Sequence, residues 1–468
     1  MKIVAKIRQV LMASAVVVAP AYAQTLAIVN GTVIDGTGSA PLTKGVVLID
    51  DGRITAVGSK RDIAIPSGAE LIDAKGKYVI PGLMDANLHL AINVDTDLLI
   101  KYEGRYHEAI QESAQITLKV GLTSVFDTWG PRAPLVKARD EINSGEVIGS
   151  RIFLAGNIIG YDGPFSPDFL GGIPKPYITN AFANRINEIW QQGVGRELMW
   201  LGPEDVAEKV SEYAAKEVDF LKYGATGHVD HFFIAFSPRV QNAIVDTGHT
   251  SGKTVQAHTT SIESYYMAVE AGVDIITHCD DSGPNTPLPK DYIKRMVDRG
   301  IACSVTATGD AQMAAMEEAS HPLMPRKTAS RENISAMIEA GATLLLATDA
   351  TVKSPEMLAD YAHLIINVDP EGSLGESHFS ALVGFEDLGM APMDILKSAT
   401  SNIAKAYKVD DMLGTLEPGK MADMVILDKN PLKSARNYRA IHRVIKDGKV
   451  VDIDALPLAP LVSNILPR

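Results

Sequence analysis

Five short apolar runs in this chain each end on a side chain that can bind a metal ion or move a proton, and their order constrains the fold more than any other feature. The first is Val79-Ile80-Pro81-Gly82-Leu83-Met84-Asp85-Ala86-Asn87-Leu88-His89; the others end at Lys222 (Phe220-Leu221-Lys222), His258 (Val255-Gln256-Ala257-His258), His278 (Ile275-Ile276-Thr277-His278) and Asp349 (Leu345-Leu346-Ala347-Thr348-Asp349). Short apolar runs bounded by turn residues read as buried parallel strands, here with a functional group at each tip. Runs at Thr123–Asp127, Ile152–Ala155 and Cys303–Thr306 have the same character, and amphipathic helical stretches separate them from Pro81 to about Gly414. Counted together they make the eight strands of an α/β chain of TIM-like (β/α)8 type, where chemistry sits at the C-terminal strand ends. A doubly wound sheet is the competing reading. It would show a glycine-rich phosphate turn if it bound a nucleotide, and the chain has none.

Neutral imidazole and carboxylate are the usual donors to zinc and similar ions, so His89, His258, His278 and Asp349 supply metal-site chemistry. Taken singly, each is better explained as a satisfied core histidine or a structural aspartate. Four arriving in order at strand ends are not. Lys222 is different, because an ammonium binds no cation. Burial favours its neutral amine, which can add carbon dioxide to give a carbamate with two oxygen donors. Asn87 would offer an uncharged carbonyl oxygen, a weaker donor than imidazole, so its subsite is expected to hold an ion poorly.

The order His, Lys, His, His, Asp on strand ends resembles the amidohydrolase superfamily of metal-dependent hydrolases, over a stretch from about Leu26 to the C-terminus. One residue departs from the pattern: the family usually has His-x-His after Pro-Gly-Leu-x-Asp, whereas this chain has Asn87-Leu88-His89. That Asn-x-His form resembles the branch with phenylurea hydrolases and the thiocarbamate-cleaving molinate hydrolase. The resemblance implies a metal set of Asn87, His89, Lys222, His258, His278 and Asp349, with Lys222 carboxylated and Asp349 the catalytic acid and base. It implies one or two divalent ions, zinc the expected one and cobalt, manganese or iron the alternatives. Arg196, Tyr223 and His228 are candidates for binding substrate, with His231 nearby; packed or solvated roles explain them equally well.

Residues 25 to 80 read as short strands with Asn30-Gly31, Asp35-Gly36 and Asp51-Gly52 turns, and the same style returns after Thr415. The resemblance implies that both ends form one small β-sandwich domain, from 24–80 and 415–468, beside a barrel at 81–414. At the N-terminus, Lys2, Lys6 and Arg8 precede an apolar stretch from Val10 to Ala19 and then Ala21-Tyr22-Ala23. This is the layout of a signal peptide over 1–23, and the stretch is well short of the ~20 residues that span a bilayer. Export to the periplasm or beyond follows. Cys279 and Cys303 are the only cysteines, inside apolar runs, and are expected as buried free thiols.

A net charge of −13, with no clustered Lys and Arg, argues against a nucleic-acid partner and leaves a small molecule as the substrate; homo-oligomerisation is left open. Residues 160 to 203 read as an irregular insertion rich in Pro and Gly, placed where a substrate lid belongs. Three functions compete. The first is hydrolysis of an amide, urea or carbamate C–N bond, or a thiocarbamate C–S bond. The second is a prolidase, Xaa-dipeptidase or N-acyl amino acid hydrolase, which needs a cation such as Arg196 for the substrate carboxylate. The third is a barrel that binds a ligand without turnover, suggested only by Asn87.

Overall fold

The computed structural model describes residues 25–92, 96–170, 178–228, 233–283, 285–321, 323–352 and 374–457. The expected signal peptide lies outside the described residues. The chain opens with five strands: β1 (Leu26–Val33), β2 (Leu42–Asp50), β3 (Arg53–Ser59), β4 (Glu70–Asp73) and β5 (Tyr78–Pro81). Eight strands then alternate with helices: β6 (Leu83–Ile92), β7 (Leu122–Asp127), β8 (Arg151–Leu154), β9 (Leu221–Gly224), β10 (Val255–His258), β11 (Ile275–Thr277), β12 (Ala302–Val305) and β13 (Leu344–Leu346). After β14 (Thr351–Val352) come further helices and β15 (Met424–Leu427), β16 (Ile441–Lys446) and β17 (Lys449–Val451). Among the described residues no helix is long and apolar enough to cross a membrane.

The repeated strands form two parallel arcs, one ordered β13-β12-β11-β10-β9 and the other β14-β6-β7-β8. Backbone hydrogen bonds meet at both seams. Lys222 O accepts from Ile159 N at 2.8 Å beyond β8, and Asn87 O accepts from Asp349 N at 2.8 Å beyond β13. Every residue of β9, β10 and β13 is buried. Helices cover one side and side chains of the central core the other, which is why these strands carry continuous apolar runs and no alternation. This is mixed α/β architecture of TIM-barrel type. The helices start where capping chemistry allows: Ser261 and Ser264 form a capping box at the head of Ile262–Ala271, and Gly272 ends that helix with a φ of 75°.

The two chain ends combine, because hydrogen bonding joins strands from both in one eight-stranded sheet. Its order is β17-β16-β15-β5-β1-β2-β3, with β4 paired to β1. Strand β1 makes this possible, pairing along its first half with β4 and along its second half with β5. Arg151, at the start of β8, ties the sheet to the parallel arcs. Its guanidinium donates to both Asp423 and Asp447 and, at 3.2 Å, to Ser124 Oγ. The Arg151 and Asp423 side chains are 11% and 4% exposed, so removing the arginine strands a buried carboxylate. Arg151→Ala is expected to cost about 3 kcal/mol, measurable as a lower urea midpoint. A midpoint unchanged from the parent would mean the carboxylates find other partners.

The expectation of free thiols is corrected. Cys279 and Cys303 form a disulfide, with Cα atoms 5.9 Å apart. Parallel pairing of β11 with β12 sets Ile276 against Cys303, which brings the following turn within bridging distance. As alternation requires, the sulfurs point outward, against Met337 of the covering helix Met324–Glu339.

Candidate metal centre

The strand tips converge. Lys222 lies within β9, His258 ends β10, His278 follows β11 directly, His89 lies in β6, and Asp349 follows β13. His278 and Asp349 both adopt left-handed backbone, with φ of 58° and 54°. That conformation is uncommon outside glycine and here turns two functional side chains at the strand ends. Asp85, four residues before His89 on the same strand, braces the arrangement. It is fully buried and accepts from Asn87 N at 3.0 Å, Thr348 N at 3.2 Å and Thr348 Oγ1 at 2.6 Å. Burial raises its pKa to about 7 against those hydrogen bonds.

Asp349 Oδ1 sits 3.1 Å from His89 Nε2, 3.0 Å from Asn87 Nδ2 and 3.9 Å from His278 Nε2. Its side chain is 43% exposed, so the carboxylate stands deep among the strand ends yet open to solvent at the mouth. Its deep position pushes the carboxyl up, but the facing His278, His89 and Lys222 more than offset this and hold it well below the usual range. On the other side of Asn87, Lys222 Nζ donates to Asn87 Oδ1 and to Thr128 Oγ1, each at 3.1 Å, and Thr128 donates a short hydrogen bond to Asn87 Oδ1. Lys222 is 1% exposed. Burial lowers its pKa to about 8, against the opposing pull of Asp349 and Asp127.

The imidazoles of His228, His258 and His278 are neutral. Burial depresses His278 to about 3 and His228 to about 4, and takes His258 well below its ordinary value. His258 and His278 rings lie 4.9 Å apart, and His228 stacks on His258 at 5.4 Å. Both ring nitrogens of His258 are buried with no hydrogen-bond partner among the described residues. Buried polar atoms are rarely left this way, and a neutral, unpartnered imidazole is the form that ligates a metal. Among the described residues no three His, Cys, Asp or Glu side chains hold an ion by themselves. The histidine pair needs a further donor, and Lys222, paired in register beside β10, is the group available; as a carbamate it would fit the site.

Other expected residues fall elsewhere. Tyr223 is fully buried and points out of the centre, its hydroxyl donating to Gln241 Oε1 at 2.9 Å on the helix Pro238–Thr250, so it is not placed to polarise a substrate. Arg196 donates to Asp168 Oδ1 at 2.7 Å, and Asp168 is 5% exposed, so this arginine is engaged in fixing the insertion. His231 lies outside the described residues. His228 does belong, beside His258 and Phe169. The insertion is less irregular than its Pro and Gly content implied, since it contains the helix Asn180–Gln191, capped by Thr179, while 171–177 lie outside the described residues.

Several residues escaped the sequence reading. Thr128 directly follows β7, so its position at a strand tip was a usable signal. Trp129 and Tyr161 are buried beside the histidines, and Phe169 stacks on Trp129 at 3.8 Å to form an aromatic wall. Tyr161 lies so closely against Gly224 that no side chain would fit there, which lets the ring reach His258. Arg326 donates to Asp281, in the turn closed by Asp281 N on His278 O. No apolar periodicity marks any of these.

The family model described as Amidohydrolase family matches residues 78–451. Among solved structures the chain is similar to molinate hydrolase, at 37% identity and a TM-score of 0.89 over 96% of this chain and 98% of that one. Similarity to phenylurea hydrolase B is 33% with a TM-score of 0.88, over 94% and 99%. Imidazolonepropionase from Geobacillus sp. (strain WCH70) is 24% identical, over 89% of this chain and 94% of its own.

Proposed function

Because this chain belongs to the amidohydrolase family, and so is a hydrolytic enzyme acting on C–N bonds, we propose that it cleaves a small neutral amide, urea or carbamate, or the C–S bond of a thiocarbamate. The observation that carries this reading is the Asp349 carboxylate, open at the mouth and 3.1 Å from His89, facing the neutral His258 and His278 across the strand ends. Names of the two similar solved structures support the substrate class, one a phenylurea and one molinate. In this reading the two arcs form one (β/α)8 barrel at 81–414, with 24–80 and 415–468 as a separate small β-sandwich domain.

Lys222 as a carbamate, His258 and His278 would hold a divalent ion, zinc first, with His89 and Asp349 beside them. When bound, such an ion polarises a carbonyl and lowers the pKa of water toward ~7. The chain's own groups do the rest. Asp349, held as a carboxylate, accepts the proton of the attacking water as the carbonyl carbon gains its new C–O bond. It then delivers that proton to the leaving nitrogen or sulfur as the scissile bond breaks. The neutral His228 ring can donate to the substrate carbonyl, and Trp129 and Phe169 offer an apolar wall for the substituent. Aromatic faces next to a few polar groups suit a small, mostly apolar substrate.

The peptidase reading loses its main support, since Arg196 is committed to Asp168. The test is a panel of phenylureas, thiocarbamates, carbamates and N-acyl amino acids given to metal-loaded enzyme. Turnover of an uncharged member is expected, and preference for N-acyl amino acids would reverse the order. Elemental analysis after dialysis is expected to give about one tightly held ion per chain, since three donors on adjacent strands make one site. Two retained ions would require a second full donor set. We further propose export, with the mature chain starting at Gln24, which an intact mass of exported protein checks.

A further inference from the structure

We infer that Asn87 is a positioning residue that aims the Asp349 carboxylate, that the Thr128 hydroxyl locks it in this role, and that Asn87 is not a metal donor. The inference deepens the hydrolytic reading above and rests on it for the role of Asp349.

An asparagine side chain has a carbonyl with two lone pairs and a nitrogen with two hydrogens. Both lone pairs of Asn87 Oδ1 are engaged, one by the Thr128 hydroxyl and one by Lys222 Nζ at 3.1 Å. A metal ion would have to displace one of them. The amide nitrogen donates instead to Asp349 Oδ1 at 3.0 Å. Turning the amide over would set its NH2 against the lysine nitrogen and its carbonyl against the carboxylate, so the partners fix a single orientation. Thr128 has one proton, given to Asn87, and accepts from Lys222 at 3.1 Å, which makes its hydroxyl directional too.

Asn87 and Thr128 are fully buried and Lys222 is 1% exposed, so water does not compete for the bonds among these three. The Asn87 backbone is held as well, by Asp85 at 3.0 Å. Carboxylation of Lys222 leaves one N–H on its nitrogen, enough to keep the bond to Asn87 while the one to Thr128 is given up and Thr128 still donates to Asn87. A histidine at position 87 could not accept twice on one side and donate on the other with adjacent atoms. The chain therefore has, where its family usually has a ligand, a fork that joins Lys222 to Asp349.

The test is a crystal structure of the zinc-loaded enzyme together with kinetics of Thr128→Val. In the crystal, Asn87 Oδ1 is expected within hydrogen-bond distance of Thr128 and outside the ~2.0–2.2 Å range of an oxygen ligand. An oxygen inside that range overturns the inference. Thr128→Val keeps the shape and removes the hydroxyl; kcat on a panel substrate is expected to fall about tenfold with KM within about twofold, and Thr128→Ser to restore most of it. A Val variant with parental kcat overturns the locking role, as does a Ser variant no better than Val. Asn87→Ala serves as the second probe, with a larger expected fall in kcat. The crystal arm needs no substrate, so it reads the inference even if the whole panel proves inert, an outcome that would count against the hydrolytic reading itself.

Discussion

Lys222→Ala is expected to lose its metal ion and at least ~10³-fold in kcat, because an ion of this kind supplies several kcal/mol of charge stabilisation in the transition state. The physical case begins with burial. A lysine 1% exposed, with its pKa lowered to about 8 by burial, has a share of neutral amine that grows as pH rises through the neutral range. Only the neutral amine adds carbon dioxide, and addition releases a proton, so loading with metal and bicarbonate should rise from pH 6.5 to 8.5. Removing the side chain leaves His258 and His278 without an anionic oxygen donor. Elemental analysis of purified variant and parent, with rates on the same substrate, is the check. A variant with a full metal complement and ordinary rates would sink the carbamate assignment.

Asp349→Asn should lower kcat by ~10²-fold or more and disturb KM much less, as expected when general acid–base catalysis is lost. The substitution keeps size and the capacity to face His89, but an amide cannot take a proton from water. The pH profile carries a second expectation. His228 and His278 titrate at about 4 and 3, and His258 well below its ordinary value, because burial disfavours the imidazolium. They stay neutral from pH 5 upward, so kcat/KM should show no inflection near 6.5 from these rings. A limb near 6.5 that vanished on replacing His228 would contradict this. Near-normal turnover by Asp349→Asn would move the proton work to another group.

Much of the centre was legible because its residues end apolar runs. His258 ends its strand, His278 and Asp349 follow theirs, and His89 and Lys222 lie within buried strands near their C-terminal ends, places that can be read without knowledge of distant partners. Tyr223 could have been read correctly by the same logic, since a strand that turns Lys222 inward turns the next residue out. Long-range pairing was not legible. The hydrogen bonds of Asn87 reach 41 residues to Thr128 and 262 to Asp349. Likewise Arg196 is a fixed strut only because Asp168 folds back 28 residues to meet it. The disulfide lay between these cases: 24 residues separate the cysteines, one strand–helix repeat, which places them on neighbouring strands. A sheet shared by both chain ends was visible as style, whereas its continuity depends on β1 switching partners from β4 to β5, which no turn signal encodes.

The left-handed backbone at His278 and Asp349 restricts what evolution or a mutagenesis library can place there. Apart from glycine, asparagine, aspartate and histidine enter that conformation most readily, while β-branched residues are nearly excluded. In a saturation scan scored for folding alone, those few types should dominate the survivors at 278 and 349 and valine and isoleucine should be depleted. The tolerated set coincides largely with the alphabet of metal and proton chemistry. At these two positions the shape of the main chain filters for reactive side chains before any selection on activity begins.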